Sequence, residues 1–211
     1  MFRGVQTSWQ AGDWRRGNIR IGQAKIVPPD YTHLDALMTK LVEVTNSHLE
    51  QHPWTRAALA HVLFEATHPF PDGNGRVGRI IMNFFLICGG LPNVAIKGGK
   101  EGQRYYDSLE QGDQLSALFL AGKTKFNKKE LSYIKGLEDI ILEELAPSLD
   151  SHICALFEEK TGNALLPYKD VAVATGRKLN SFQVALSTKQ FISVKRKGKL
   201  YTHPLLLDSP K

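Results

Sequence analysis

Little in this sequence belongs to a secreted or membrane-spanning protein. Two cysteines in 211 residues, Cys88 and Cys154, are too few for a disulfide framework, and they read as buried free thiols in a reducing compartment. The longest apolar run, from Ile80 to Cys88, is roughly half of what a bilayer crossing needs. Met1 is not followed by a basic stretch and an apolar core, so no secretory signal is expected and the protein reads as cytoplasmic, without membrane contact. No internal repeat or low-complexity tract stands out. The glycine-rich Gly98-Gly99-Lys100-Glu101-Gly102 invites a phosphate-loop reading, but it lacks both the spacing and the following Ser or Thr.

What is present is ordinary in bulk. A chain that is 42% hydrophobic and 23% charged is long enough for one substantial core, or one core and a small appendage. A net charge of +6 allows nucleic acid or an acidic protein as partner, and it suits an enzyme for a polyanionic nucleotide equally well.

The unusual stretch is His68-Pro69-Phe70-Pro71-Asp72-Gly73-Asn74-Gly75-Arg76-Val77-Gly78-Arg79, followed at once by the apolar run. Pro69 and Pro71 restrict the backbone after His68, while Gly73 and Gly75 permit positive φ and convergence of main-chain N–H groups. A helix starting near Asn74 offers unpaired N–H groups and a positive dipole end, which together make an anion pocket. Arg76 and Arg79 share one helix face and can fork onto phosphate oxygens. Asp72, the lone acid of the loop, suits Mg²⁺ that keeps its waters and bridges to phosphates. His68 has the one unperturbed pKa near neutrality, as a general base requires.

These twelve residues match the H-P-F-x-[D/E]-G-N-G-R-x-x-R signature of the Fic family at every position, and the chain resembles that family over about its first 145 residues. The resemblance implies a mostly α fold, a Fic-type helical core with a small β-hairpin flap, and an enzyme that moves AMP from ATP to a Ser, Thr or Tyr hydroxyl of a target protein. It implies His68 as base, Asp72 as Mg²⁺ ligand and Phe70 as an apolar anchor of the loop. Gly73, Asn74 and Gly75 would cradle phosphates, Arg76 and Arg79 would hold the outer ones, and Val77 and Gly78 complete the motif. The phosphate-transferring branch of the family has lysine for the second loop glycine, and Gly75 argues against that branch; removal of AMP is a further family activity.

Other segments take their meaning from this core. Period-two alternation from Asn18 to Val27, ahead of Pro28-Pro29, suggests a β-hairpin over about residues 17–29. In the family such a flap covers the nucleotide, here through Ile21, Gly22, Gln23 and Ala24, and pairs by backbone with the target segment. Leu34, Leu37, Met38, Leu41 and Val42 mark an amphipathic helix capped by Asp30 or Thr32. A second helix from Pro53 to Thr67 delivers His68, with His61 packed rather than catalytic. The post-motif helix, apolar nearly all round, is expected to be the central and most buried one, stopping at Gly89-Gly90. Tyr105 and Tyr106 point to different faces of a helix; in the family a similar paired-Tyr helix borders the adenine, which implies that either ring stacks there and that Asp113 accepts from the amine, in a place where family members often have Asn. Residues 125–145 form another amphipathic helix, in which Asn127 to Glu130 are solvated surface, and Pro147 breaks the chain there.

The boundary at Pro147 gives a catalytic domain over residues 1–146 and a module over 147–211. Helix, turn, helix and the basic hairpin around Lys195-Arg196-Lys197-Gly198 resemble a winged helix. Its second helix, with Ser181 and Gln183, could face a nucleic-acid groove. The [S/T]-x-x-x-E-[G/N] helix that restrains many Fic enzymes is missing. A glutamate for that role is expected from a segment outside this chain or from a separate inhibitory protein. A homodimer is neither required nor excluded.

Overall fold

The computed structural model describes residues 12–22, 24–96, 102–188 and 190–207. The chain divides into two compact units, Met1–Glu144 and Leu145–Lys211. No helix among the described residues is long and apolar enough to cross a membrane.

The first unit is helical. Helix α1 (Leu34–Asn46) buries Leu34, Leu37, Leu41 and Val44 on one stripe, and a 3-10 turn over Tyr31–His33 leads into it. Asp30 caps that turn, its carboxylate accepting from the Thr32 N–H at 2.9 Å, the Thr32 hydroxyl at 2.7 Å and Asn18 at 2.8 Å. These donors favour the charged form and pull its pKa down to about 2.

Helix α2 (Pro53–Thr67) starts on a proline that has no N–H to lose at that position. Ala57, Ala58, Ala60 and Ala66 are small, so neighbouring backbones approach closely, and eleven of its residues are buried. It packs against α1, α3 (Asn74–Cys88) and α4 (Gln103–Leu120). The centre of the unit is therefore α2. The post-motif helix α3 is not the most buried one: it buries Asn74, Gly78, Met82 and Leu86 at four-residue intervals, and Ile80, Phe84 and Ile87 are about half exposed or more, at 49%, 59% and 59%. Apolar residues all round a helix can be buried only where neighbours cover it, and the alanines of α2 draw the neighbours there instead. Cys88, at the end of α3, is accordingly exposed rather than buried, whereas Cys154 is buried. Helix α3 stops as the sequence suggests: Gly90 takes φ +76°, and the Leu91 and Gly90 N–H groups bond the Leu86 and Ile87 carbonyls at 2.9 and 3.0 Å.

Short α5 (Lys128–Leu131) is set by a capping box. Asn127 accepts from the Glu130 N–H at 3.0 Å, and Glu130 from the Asn127 N–H at 2.9 Å. This segment is thus a helix start as well as a solvated surface. A 3-10 turn over Ser132–Ile134 joins it to α6 (Lys135–Thr161), which runs through Pro147. The expected break does not occur there. The proline removes a single helical hydrogen bond, and Leu145, Asp150 and Cys154 remain buried on either side of it.

In the second unit, β1 (Leu166–Pro167), α7 (Tyr168–Ala174), α8 (Leu179–Ser187), β2 (Val194–Arg196) and β3 (Lys199–Thr202) follow in order. The sheet is antiparallel with order β1-β3-β2, Leu166 opposite Thr202 and Val194 opposite Tyr201. Lys197 and Gly198 both have positive φ, 47° and 78°, which closes a two-residue hairpin whose twist matches the strands. Strand β2 begins only at Val194, because Phe191 and Ile192 turn inward: Phe191 packs against the cluster of Val171, Phe182 and Leu186, and Ile192 belongs to the cluster with Cys154 and Leu206.

Candidate active site

The loop between α2 and α3 is organised by its own side chains. Asn74 is 2% exposed; its Oδ1 accepts from the Phe70 N–H at 2.9 Å and its Nδ2 donates to the Phe70 carbonyl at 2.8 Å. That two-way bond fixes the loop as a compact ring. Phe70 packs its ring 5.1 Å from Trp14 and 6.3 Å from Phe64. Gly73 at φ +83° admits the chain to α3, and no side chain caps the helix, so the dipole end is left to the cavity beside it.

His68 ends α2 in the left-handed region, at φ 47° and ψ 58°. Its Nδ1 lies 3.1 Å from the Glu65 carbonyl. A carbonyl only accepts, so Nδ1 carries the proton and Nε2 keeps its lone pair. Burial lowers the pKa of this imidazole, the Glu65 carbonyl opposes that shift, and the Arg15 cation adds to it. The ring is thus held in its basic, neutral form.

A cavity of about 690 Å³ opens here, within the range of small-molecule sites. Ile21, Gly22 and Ala24 line it from one side; His68, Asp72, Gly73, Asn74, Gly75, Arg76 and Arg79 from the loop and α3; Tyr105, Tyr106 and Asp113 from α4. Val77 and Gly78 do not line it, and Gln23 lies outside the described residues. The reversal of the flap segment is a turn in which the Ala24 N–H donates to the Ile21 carbonyl at 2.8 Å. No strand is assigned to its described residues, whose anchors are Lys25, ion-paired with Glu110, and Ile26, whose backbone bonds Asp113. Asp113 thus holds the flap segment, and burial raises its pKa. Tyr105 is buried at 4% exposure while Tyr106 is open at 48%, as adjacent helical positions require.

Asp72 sits at the mouth, its side chain 67% exposed, with Oδ2 3.2 Å from Arg76 and Oδ1 accepting the Gly73 N–H at 2.6 Å. Among the described residues no three His, Cys, Asp or Glu side chains gather to hold a metal. A single carboxylate beside an anion cradle suits a hydrated Mg²⁺ whose remaining ligands are phosphate and water.

Sequence reasoning missed the cluster behind the cradle. His61 is fully buried, with Nε2 2.7 Å from the Tyr105 hydroxyl. Burial raises the Tyr105 pKa, so its O–H donates and His61 Nδ1 bears the proton. That Nδ1 faces Glu65 Oε1 at 4.0 Å, and neither atom has a hydrogen-bond partner. Burial drives the His61 pKa down to about 4 and that of Glu65 up to about 7, although Arg79 pulls the latter back. Arg79 also bonds Tyr105. The available signal was Glu65 itself, a lone charge in the otherwise uncharged run from Ala57 to Thr67.

Fold and loop together define a helical domain with an anion cradle at the start of its third helix and a neutral imidazole beside it. Residues 1–86 match the Fic/DOC family. Over 121 residues the chain is 31% identical to a protein of Aquifex aeolicus named as a probable protein adenylyltransferase, covering 57% of this chain and 37% of that one. Over 107 residues it is 36% identical to the protein adenylyltransferase Fic of Drosophila willistoni, covering 50% of this chain and 21% of the relative. The chain thus spans well under half the length of these curated relatives. A Fic domain containing signaling protein from Bacteroides thetaiotaomicron has the same fold, with a TM-score of 0.56 at 24% identity over 69% of this chain and 57% of its own.

Proposed function

We propose that this protein is an adenylyltransferase that moves AMP from ATP to a hydroxyl side chain of a target protein. The observation that carries the reading is the His68 Nε2 lone pair, fixed by the Nδ1 bond to Glu65, at the edge of a cavity whose other wall is the uncapped start of α3 with Arg76 and Arg79. Phosphates bind there, on Gly73 to Gly75 and the two arginines. The target segment lies along the flap, Ile21 to Ala24, by backbone pairing. Nε2 takes the hydroxyl proton as the oxygen attacks the α-phosphorus; the bond to the β-phosphate oxygen breaks, pyrophosphate leaves, and His68 returns its proton to water. Mg²⁺ held by Asp72 supplies charge neutralisation on the phosphates when bound.

Adenine fits between the flap and the exposed ring of Tyr106, with Tyr105 set deeper against His61. Because Asp113 already accepts from Ile26, its role in this reading is to seat the flap rather than to read the base alone. Residues 1–146 form the catalytic domain in this proposal. Residues 147–211 form a winged-helix-like module, on the order strand, two helices, hairpin. Arg196 is engaged by Glu158 at 2.6 and 3.0 Å, which weakens a nucleic-acid reading of the basic hairpin. The restraining glutamate is assigned to a segment or partner outside this chain.

The test is incubation with ATP labelled at the α- or the γ-phosphate. Label from the α-position alone should appear on protein, and His68→Ala should reduce it about 10²- to 10⁴-fold while ATP still binds. Label from the γ-position, or α-label indifferent to His68→Ala, would overturn the reading.

A further inference from the structure

Arg15 is 3% exposed and does not line the cavity, yet it is hydrogen-bonded to the residue at the centre of the site. Its Nε donates to the His68 carbonyl at 3.0 Å, one terminal nitrogen to the Gly17 carbonyl at 2.8 Å and the other to the Pro29 carbonyl at 2.5 Å. Its own main-chain N–H donates to the Pro69 carbonyl at 2.8 Å. Among the described residues no carboxylate lies within ion-pair distance of it, so its hydrogen bonds all go to carbonyls, with Asp30 adding a longer-range attraction. Gly17 and Pro29 are the two ends of the segment that reverses at Ile21–Ala24. One planar guanidinium therefore closes the base of that segment and grips the backbone of the imidazole residue.

We infer that Arg15 is a positioning residue that couples the flap segment to His68, holding both in the geometry that transfer needs; the inference rests on the function proposed above. Three features support this assignment. Each of the three guanidinium nitrogens donates to a different carbonyl, which matches the fixed fork of a guanidinium and not the single ammonium of lysine. His68 occupies a backbone region that non-glycine residues rarely adopt, and Arg15 pins the chain immediately after it, through the His68 and Pro69 carbonyls. A permanent cation beside a neutral imidazole disfavours its protonation, in agreement with the lowered His68 pKa. The same residue thus governs where the base points, whether it is free to act, and where the target-facing segment begins.

The test uses the full chain and compares Arg15→Lys, Arg15→Gln and Arg15→Ala. ATP affinity should stay within about twofold of the parent, because Arg15 lies off the cavity wall, while kcat for transfer falls about 10²-fold as expected for a misplaced group. The His68 ring, followed by NMR titration, should show a raised pKa in Arg15→Gln and a parental one in Arg15→Lys, which keeps the charge but loses the fork. Added guanidinium ion should restore part of the transfer in Arg15→Ala. The His68 titration needs no turnover, so it tests the inference even if the wild-type protein transfers no AMP, which would sink the proposed function separately. A parental rate in Arg15→Gln, an unmoved His68 titration in folded Arg15→Gln, or losses of ATP affinity and rate that merely track the melting temperature in all three variants would overturn it.

Discussion

Glu65→Gln is the sharpest physical test of the buried cluster. The Glu65 side chain is 14% exposed, its Oε1 has no partner, and its pKa rises from 4.5 to about 7. A carboxyl with a raised folded-state pKa binds more protons folded than unfolded between those two values, so stability falls as pH rises across that window. At about 1.36 kcal/mol per unit, the shift amounts to about 3 kcal/mol of stability, fully retained below pH 4.5 and fully lost above pH 7. The amide cannot ionise, so the variant escapes this loss. The stability of Glu65→Gln minus that of the parent should rise by about 2.5 kcal/mol from pH 5 to pH 8. Urea unfolding at half-unit pH steps measures it, with unchanged m-values as the check on two-state behaviour. His61 titrates in the unfolded chain of both proteins and cancels in the difference. A difference flat to about 0.5 kcal/mol, or one that falls with pH, would show that Glu65 is ionised and solvated at neutral pH, contrary to its burial.

Two substitutions test the packing around the site. At Gly112 an added Cβ would sit 2.7 Å from Val62 Cγ1 and 3.2 Å from Cγ2, so Gly112→Ala should lose up to about 2 kcal/mol after the helix-propensity gain of about 1 is subtracted from an overpacking cost of about 1–3. Combining it with Val62→Ala should cost less than the sum of the two single changes, as read by thermal unfolding. Asn74→Ala removes both bonds to Phe70 and leaves that backbone unpaired; a loss of about 2–3 kcal/mol and faster amide exchange at Phe70 are expected, and unchanged exchange there would contradict the ring described above.

Much of the first unit is legible in the sequence because its signals are local. The stripe Leu34, Leu37, Leu41 sets α1, Pro53 starts α2, and Gly89-Gly90 stops α3, each by chemistry within a few residues. The cradle is legible too, since every group that forms it lies between His68 and Arg79. What local signals miss is tertiary. Pro147 looks like a break because its missing N–H is a local cost, whereas the burial of Leu145 and Cys154 that keeps α6 going comes from elsewhere in the fold. The burial of α2 over α3 turns on alanine, which scores as weakly apolar yet permits the closest approach. Arg15 reads as one more cation of a basic chain until the carbonyls of Pro29 and His68, 14 and 53 positions away, converge on it beside that of Gly17. His61 and Tyr105 are 44 positions apart, and nothing in either segment announces the other.

Position 78 links these observations. A Cβ at Gly78 would lie 2.2 Å from Glu65 Oε1 and 2.8 Å from His61 Nδ1, so only glycine lets α3 approach α2 with that pair in place. Gly78 belongs to the buried stripe of Asn74, Met82 and Leu86, and the stripe changes character along its length. Met82 and Leu86 are fully enclosed apolar side chains, whose burial stabilises the helix pair by about 1.5–3 kcal/mol each. Asn74 and Gly78, nearer the cavity, face polar groups instead. Stability from the lower half of the interface is what permits a destabilising buried carboxyl in the upper half, where Arg79 meets it. A substitution low on the stripe should therefore change melting temperature without changing ionisation. One at Gly78 should change both, because the side chain it displaces is the one that titrates.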